Sequence, residues 1–280
     1  MILVTGATGN VGSQLVRILS ELLDGTGEEV HALSRSGRAA GLPANVKPVA
    51  GDLNRPETFA TSLAEARALF LMPGYDNMAA TLAAARAGAA ERVVLLSGGS
   101  AGGGDLTNAV SRYMIASENA VRESGLPWTF LRARMFMSNT LEWAGQLRQG
   151  DVVRAPFAGV RAAVVDPYDI AACAATALTS KDHEGRIHTV SGPQSLLPAD
   201  RVRILGEVLG RDLTCEGVPD DEAYREMSAR MPVPYVDAFF SFYVDGTLDE
   251  SSVVNTVEEV TGRAPRTFRA WAEAHADAFR

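Results

Sequence analysis

Residues 5–12 read T-G-A-T-G-N-V-G and follow the apolar run I-L-V of residues 2–4. A glycine carries no side chain, so the backbone N–H groups around it can close on an anion, and a helix N-terminus behind them adds a favourable dipole. The spacing puts Gly6 at the sharp turn, Gly9 at the close approach and Gly12 where the following helix meets the strand, with Thr8 in the same loop. That arrangement suits a dinucleotide diphosphate; the alternative is a tight strand–helix turn that holds no ligand. A second group stands at L-S-R-S-G-R (33–38). A site for NAD usually presents a carboxylate there to the ribose 2′-hydroxyl, whereas Ser34, Arg35, Ser36 and Arg38 offer hydroxyls and guanidinium forks that suit a 2′-phosphate. The expectation is NADP(H); the alternative is that both arginines are solvated loop charges. A third group is Gly51-Asp52-Leu53. Asp52 can accept from an adenine amino group while Leu53 covers the ring, or Asp52 can be an ordinary turn aspartate.

These groups need elements to hold them. ILVT (2–5) reads as a buried strand, and GSQLVRILSELL (12–23) as a helix with Leu15, Val16, Leu19 and Leu22 on one face. Further strands are expected at 29–35, 46–53, 66–74, 91–100 and 127–136, alternating with helices at 56–64, 77–89 and 111–125. Strict alternation with short connections means βαβ units, so the fold class is α/β: a doubly wound (Rossmann) parallel sheet with a smaller C-terminal α/β substrate region. The domain reading is residues 1–150 for the nucleotide-binding domain, with 160–193 returning to it, and 194–280 for the substrate region. Within that return, 160–178 reads as a strand then a helix, and 185–193 as another sheet strand.

The chain has 280 residues, 46% hydrophobic and 21% charged, with formal net charge −8 and pI about 5.1. An acidic balance argues against a nucleic-acid partner, which calls for clustered Lys and Arg. The only lysines are Lys47 and Lys181. Cys173 and Cys215 form no CxxC pair, and the four histidines, His31, His183, His188 and His275, are scattered, so no metal site is expected. No apolar run approaches the roughly 20 residues needed to cross a bilayer, and the first residues read as a strand rather than a signal peptide. The expectation is a cytoplasmic protein without a membrane partner; a homodimer is left open.

Taken together, TGATGNVG (5–12), ALSR (32–35), GDL (51–53) and SGLPWTFLR (124–132) resemble the atypical short-chain dehydrogenases/reductases, in particular the NmrA-like NAD(P)-binding branch with its quinone reductases and redox-sensing regulators. The likeness is specific to about residue 140 and weakens through the tail. It implies NADP(H) held by Gly6, Gly9, Asn10, Val11, Arg35 and Asp52, and a nicotinamide side lined by Leu71, Met72, Pro73, Ser97 and Gly98. It also implies a substrate pocket at the exit of the sixth strand, where Met135, Phe136, Asn139 and Trp143 stand, alongside Met137. One departure is visible: where the family often has L-R-P, this chain has Leu131-Arg132-Ala133. The tail aromatics Tyr235, Phe239, Phe240 and Tyr243 are either a further pocket wall or plain core.

Short-chain reductases typically use Tyr-x-x-x-Lys. Here the nearby tyrosine is Tyr113, and Ser117 stands four residues on. Tyr113 is the candidate catalytic proton donor, or else a tyrosine packed near the cleft; an unassisted phenol is an adequate acid and a poor base at neutral pH. A quinone takes hydride readily because its product is aromatic, so orientation and the cofactor can suffice. The sequence therefore points to an NADPH-dependent oxidoreductase that transfers hydride to a quinone or similar conjugated, small, apolar acceptor. Competing readings are a non-catalytic, redox-sensing NADP(H)-binding regulator, and an NADP(H)-dependent tailoring reductase or epimerase of secondary metabolism. The run S-G-G-S-A-G-G-G-D (97–105) is expected to form a mobile lid or a plain surface connection.

Overall fold

The computed structural model describes residues 1–37 and 41–280; Arg38 lies outside the described residues. In chain order the elements are β1 (Ile2–Val4), α1 (Asn10–Leu22), β2 (Val30–Ser34), β3 (Val46–Ala50), α2 (Ala60–Glu65), β4 (Ala68–Leu71), α3 (Met78–Ala87), β5 (Arg92–Gly98), α4 (Ala109–Glu123) and β6 (Trp128–Ala133). They continue with α5 (Ala144–Leu147), β7 (Val152–Ala155), α6 (Pro167–Thr179), β8 (Arg186–Val190), α7 (Pro198–Leu209), β9 (Thr214–Gly217), α8 (Asp220–Ser228), α9 (Val233–Tyr243), α10 (Thr256–Thr261) and α11 (Phe268–Ala274).

Seven strands form one sheet in the order β3-β2-β1-β4-β5-β6-β8. The ladders β3–β2, β2–β1, β1–β4 and β4–β5 are parallel, with Leu3 opposite His31 on one side and Leu69 on the other. The central strands β1, β2, β4 and β5 are buried on both faces, as a sheet covered on both sides requires, while the edge strands β3 and β8 are largely exposed. On one face Leu3, Leu69, Leu71, Val93 and Leu95 pack with Leu63 of α2, Leu82 of α3 and Val121 of α4. α6 packs on β4 and β5 and against α1, whose Leu15, Val16 and Leu19 are buried. The strand order reverses between β1 and β4. In such a sheet that switch point is where a crevice opens at the carboxyl ends of the strands.

The chain forms two compact units. The first comprises Met1–Ala101, Tyr113–Arg132 and Pro167–Thr189; the second comprises Gly102–Arg112, Ala133–Asp166 and Val190–Arg280. The C-terminal region thus takes in residues 133–150, which the strand–helix rhythm joins to the nucleotide-binding part. Its core gathers Met137, Trp143, Val153, Val164, Leu205, Phe268, Trp271 and Phe279, and its β7 and β9 pair in parallel. The strand expected over 160–165 is not a continuous element. Its N–H groups go to different partners in turn: Ala162 to Leu196, Ala163 to Glu250, Val165 to Met135, so only isolated bridges form. In the glycine run 97–105, Gly99–Gly103 make a 3-10 turn with Ser100 and Ala101 buried, and Asp105 accepts from Thr107 and Asn108. No described helix is long and apolar enough to cross a membrane.

Candidate functional site

The loop after β1 is shaped by what it cannot hold. Gly6 has φ +62°, and a Cβ on it would lie 2.9 Å from Met72 Cγ. A Cβ on Gly12 would fall 2.7 Å from the Gly6 carbonyl carbon and 3.0 Å from Ala7 Cα, so α1 reaches the loop only because residue 12 is glycine. Gly9 N donates to Gly6 O at 2.9 Å and caps α1 with its backbone alone; no side chain caps the helix. The loop is tied to its neighbours by Ala7 N donating to Leu33 O (3.3 Å) and by Met72 N donating to Thr5 Oγ1 (3.1 Å). These bonds join the ends of β1, β2 and β4 around the switch point.

Arg35 is presented by a turn. The Ser34 carbonyl accepts from both Gly37 N (3.2 Å) and Gly51 N (3.1 Å), which closes the turn and binds it to the end of β3. Arg35 and Ser36 are thereby exposed at its tip. Gly51 is bare because a Cβ would meet Phe59 and Leu33 inside 3.0 Å.

These residues line one groove of about 450 Å³ in the first unit. Of the sequence-predicted contacts, Gly6, Thr8, Gly9, Ser34, Arg35, Asp52, Leu53 and Met72 lie on its wall. Gly12 and Val11 are buried beneath the loop, and Asn10 is exposed at the first position of α1. Leu71 is buried and lines a small recess with Leu53, Met72 and Tyr75. Pro73 follows in the turn that ends at Gly74. Asp52 Oδ1 accepts from Asn54 N at 3.0 Å, so Asp52 makes the turn and also borders the groove. Two wall residues are not foreseen from sequence. Asn54 Oδ1 accepts from Asp76 N across to the segment after β4, and Tyr75 stands between Arg35 and Asp52, where burial raises its pKa. Their only sequence signal is proximity to the Asp52 turn and to Pro73-Gly74.

On the expected nicotinamide side, Ser97 Oγ donates to Glu118 Oε1 at 2.8 Å and is buried. Glu118, 1% exposed, also takes a two-pronged bond from Arg132 (2.8 Å each) and one from Arg122 (3.1 Å). Burial alone would raise the Glu118 pKa, but Arg132, Ser97 and Arg122 outweigh it and hold it below the usual value. Gly98 ends β5 beside Met114. The Tyr113 ring lies against Gly74, 3.3 Å from where a Cβ would stand, and Ser117 links the two segments by accepting from Gly74 N and donating to Tyr113 O. Lys47 is paired with Glu29 at 2.6 Å, and Lys181 is exposed.

In the second unit, Trp143 lines a cavity of about 760 Å³ with Gln146, Pro156, Val218, Met227 and Arg230. Met135 and Phe136 are half-buried, Asn139 is exposed, and none of the three is on that cavity's wall. Met137 is buried in the core, as is Phe242, while the Phe240 and Tyr243 rings each lie 5.2 Å from the Phe157 ring, the first edge-on and the second tilted. Tyr235 is 39% exposed. One reading from sequence is corrected: the histidines are not all apart, since His183 Nδ1 and His188 Nε2 meet at 3.1 Å and burial lowers both pKa values. No group of three metal-ligating side chains forms among the described residues.

Residues 6–181 match the model of a family described as NAD(P)H-binding. The chain is 39% identical over 283 residues to (4-alkanoyl-5-oxo-2,5-dihydrofuran-3-yl)methyl phosphate reductase of Streptomyces griseus, covering 100% of this chain and 99% of that protein. It is 34% identical over 287 residues to the NAD(P)H azoreductase of Xenophilus azovorans, covering 100% and 99%. Among solved structures it resembles an NADPH-dependent quinone oxidoreductase of Escherichia coli complexed with NADPH, with TM-score 0.80, 19% identity, and 99% and 100% of the two chains covered.

Proposed function

The chain belongs to the NAD(P)H-binding family, and we propose that it is an NADPH-dependent reductase of electron-poor, conjugated acceptors. The observation that carries the cofactor choice is Arg35. It stands on the groove wall at the end of β2, where an NAD site would set a carboxylate. The bare backbone at Gly6, Gly9 and Gly12 and the uncapped start of α1 fit a diphosphate, since any Cβ at Gly12 would collide with the loop. Ser34 and Arg35 would hold the 2′-phosphate, and Leu53 and Tyr75 would flank the adenine beside Asp52. When bound, the nicotinamide supplies the hydride.

The acceptor class follows from what the relatives' names share. An acyl butenolide, an azo group and a quinone each place the incoming electron pair on a delocalised oxygen or nitrogen. Such an anion takes its proton from water or from a weak acid, which suits a chain in which Ser117 stands where the usual lysine would. Tyr113 is the protein's candidate acid. Acceptor binding falls to the second unit, whose 760 Å³ cavity is of ligand size.

The test is a side-by-side titration with NADPH and NADH at fixed salt, followed by nucleotide oxidation with a quinone, an azo dye and an acyl butenolide. The expected result is at least about tenfold tighter NADPH binding, about 1.4 kcal/mol, and turnover with one or more acceptors. Tight binding without turnover on any of them would overturn the reductase reading in favour of a nucleotide-reporting binding protein.

A further inference from the structure

In the second unit a cation is buried without a counter-ion. Arg201, on α7, is 6% exposed. Its side chain makes no hydrogen bond and no ion pair among the described residues, and its Nε is enclosed with no acceptor. A guanidinium has five donors and cannot shed its charge at neutral pH, so such a site is costly to fold unless an anion completes it. The neighbouring ionisable groups do not complete it. Cys215 is a thiol whose pKa burial raises. Tyr243 donates its hydroxyl to Glu250 at 2.9 Å, and burial raises its pKa too. Glu250 faces Arg134, the Met135 N–H and Asp249 rather than Arg201, and burial raises its pKa as well. Burial lowers the Arg201 pKa to about 10, which leaves it charged at pH 7.

Two further observations mark the place. The guanidinium lies 5.0 Å from the centre of the Trp143 ring; Trp143 lines the 760 Å³ cavity, and Arg201 itself stands off that cavity's wall. Beyond Tyr243, Phe157 holds φ +54°, a conformation that a bulky residue rarely adopts, and its ring lies 5.2 Å from Tyr243. Strain of this kind persists where surrounding structure holds it, and it clusters at ligand sites.

We propose that Arg201 anchors an oxyanion-binding site in the second unit, where the fork takes the phosphate or carboxylate of an acceptor whose apolar body lies along Trp143. As an anchor for the acceptor it rests on the reductase reading; the anion site itself does not.

The experiment is thermal unfolding at constant ionic strength with phenyl phosphate, benzoate and, as the neutral control, benzyl alcohol. Wild-type protein should show a saturable rise in Tm with at least one anion and none with the alcohol. A response to phenyl phosphate alone assigns a phosphate monoester, and one to benzoate alone assigns a carboxylate. Arg201→Met should lose the response while its own Tm stays level or rises, because an unpaired buried charge gives way to a side chain of similar volume. Arg201→Lys, which keeps the charge and loses the fork, should weaken anion binding by at least about tenfold. A wild-type protein that ignores both anions, or an Arg201→Met protein that still responds, overturns the inference. NADPH binding is read on the same wild-type samples. Protein that binds NADPH but neither anion refutes the anion site and leaves the reductase reading standing; protein that binds an anion but no NADPH does the reverse.

Discussion

On the proposed reading, Arg35→Ala removes the contact to the 2′-phosphate and nothing else that the cofactor would touch. The side chain is exposed at the tip of a turn whose shape depends on the Ser34 carbonyl and on Gly37 and Gly51, none of which the substitution alters. The fold should therefore be unaffected, with a stability change within about 0.5 kcal/mol as for other surface positions. A charge-assisted hydrogen bond to a phosphate contributes about 1.5–3 kcal/mol net, and exposure favours the lower end. A loss of about 1.5–2 kcal/mol raises the NADPH Kd about 10- to 30-fold. NADH has no 2′-phosphate, so its Kd should change less than about twofold, and the nucleotide preference should collapse. Because the interaction is exposed, raising the salt should narrow the wild-type preference as well. The assay is calorimetric titration of both nucleotides at two salt concentrations, with Tm as the control for folding. Equal weakening of NADPH and NADH would mean that Arg35 acts on a part common to both. Unchanged NADPH affinity would mean that it is a solvated loop charge and that the cofactor reading lacks its main support. Arg35→Lys, which keeps charge but not the fork, should fall between wild type and alanine.

Gly12→Ala should weaken NADPH and NADH together, because its Cβ would displace α1 from the Gly6 carbonyl, and it should lower stability by about 1–3 kcal/mol in urea. Unaltered binding by titration would refute the cradle. Glu118→Gln should cost about 3 kcal/mol at neutral pH, since it leaves Arg132 without its buried partner. The folded-state pKa of Glu118 lies below its ordinary 4.5, so this stabilisation is complete above about that pH and is lost as pH falls through the lower folded value. Urea unfolding of both proteins should accordingly show a gap that closes on acidification; a gap independent of pH would assign the effect to packing.

How legible each part is in the sequence depends on how far its causes lie apart along the chain. The glycine cradle is readable because all its constraints fall within residues 2–12: a short buried strand, a left-handed Gly6, and a Gly12 that allows no Cβ. Arg35 is readable for the same reason, one turn past the end of β2. Tyr75 and Asn54 are not, because they meet the groove through a hydrogen bond between Asn54 and Asp76, 22 residues on. The break after β6 is hidden as well, since residues 133–166 join the second unit through partners far along the chain: β7 pairs with β9, and Ala162 and Ala163 bond to Leu196 and Glu250. Arg201 is the instructive case. In α7 the buried positions Pro198, Arg201, Val202 and Leu205 follow the i, i+3, i+4, i+7 stripe of a core-facing helix, with an arginine at one of its apolar places. Arg203, two residues on and therefore on the other face, is exposed and pairs with Glu207. A charge on the apolar stripe was visible in the sequence, but a long side chain at such a position often snorkels to water. Here it does not: the guanidinium stays inside, 6% exposed and 5.0 Å from the centre of the Trp143 ring, which only the folded structure reveals.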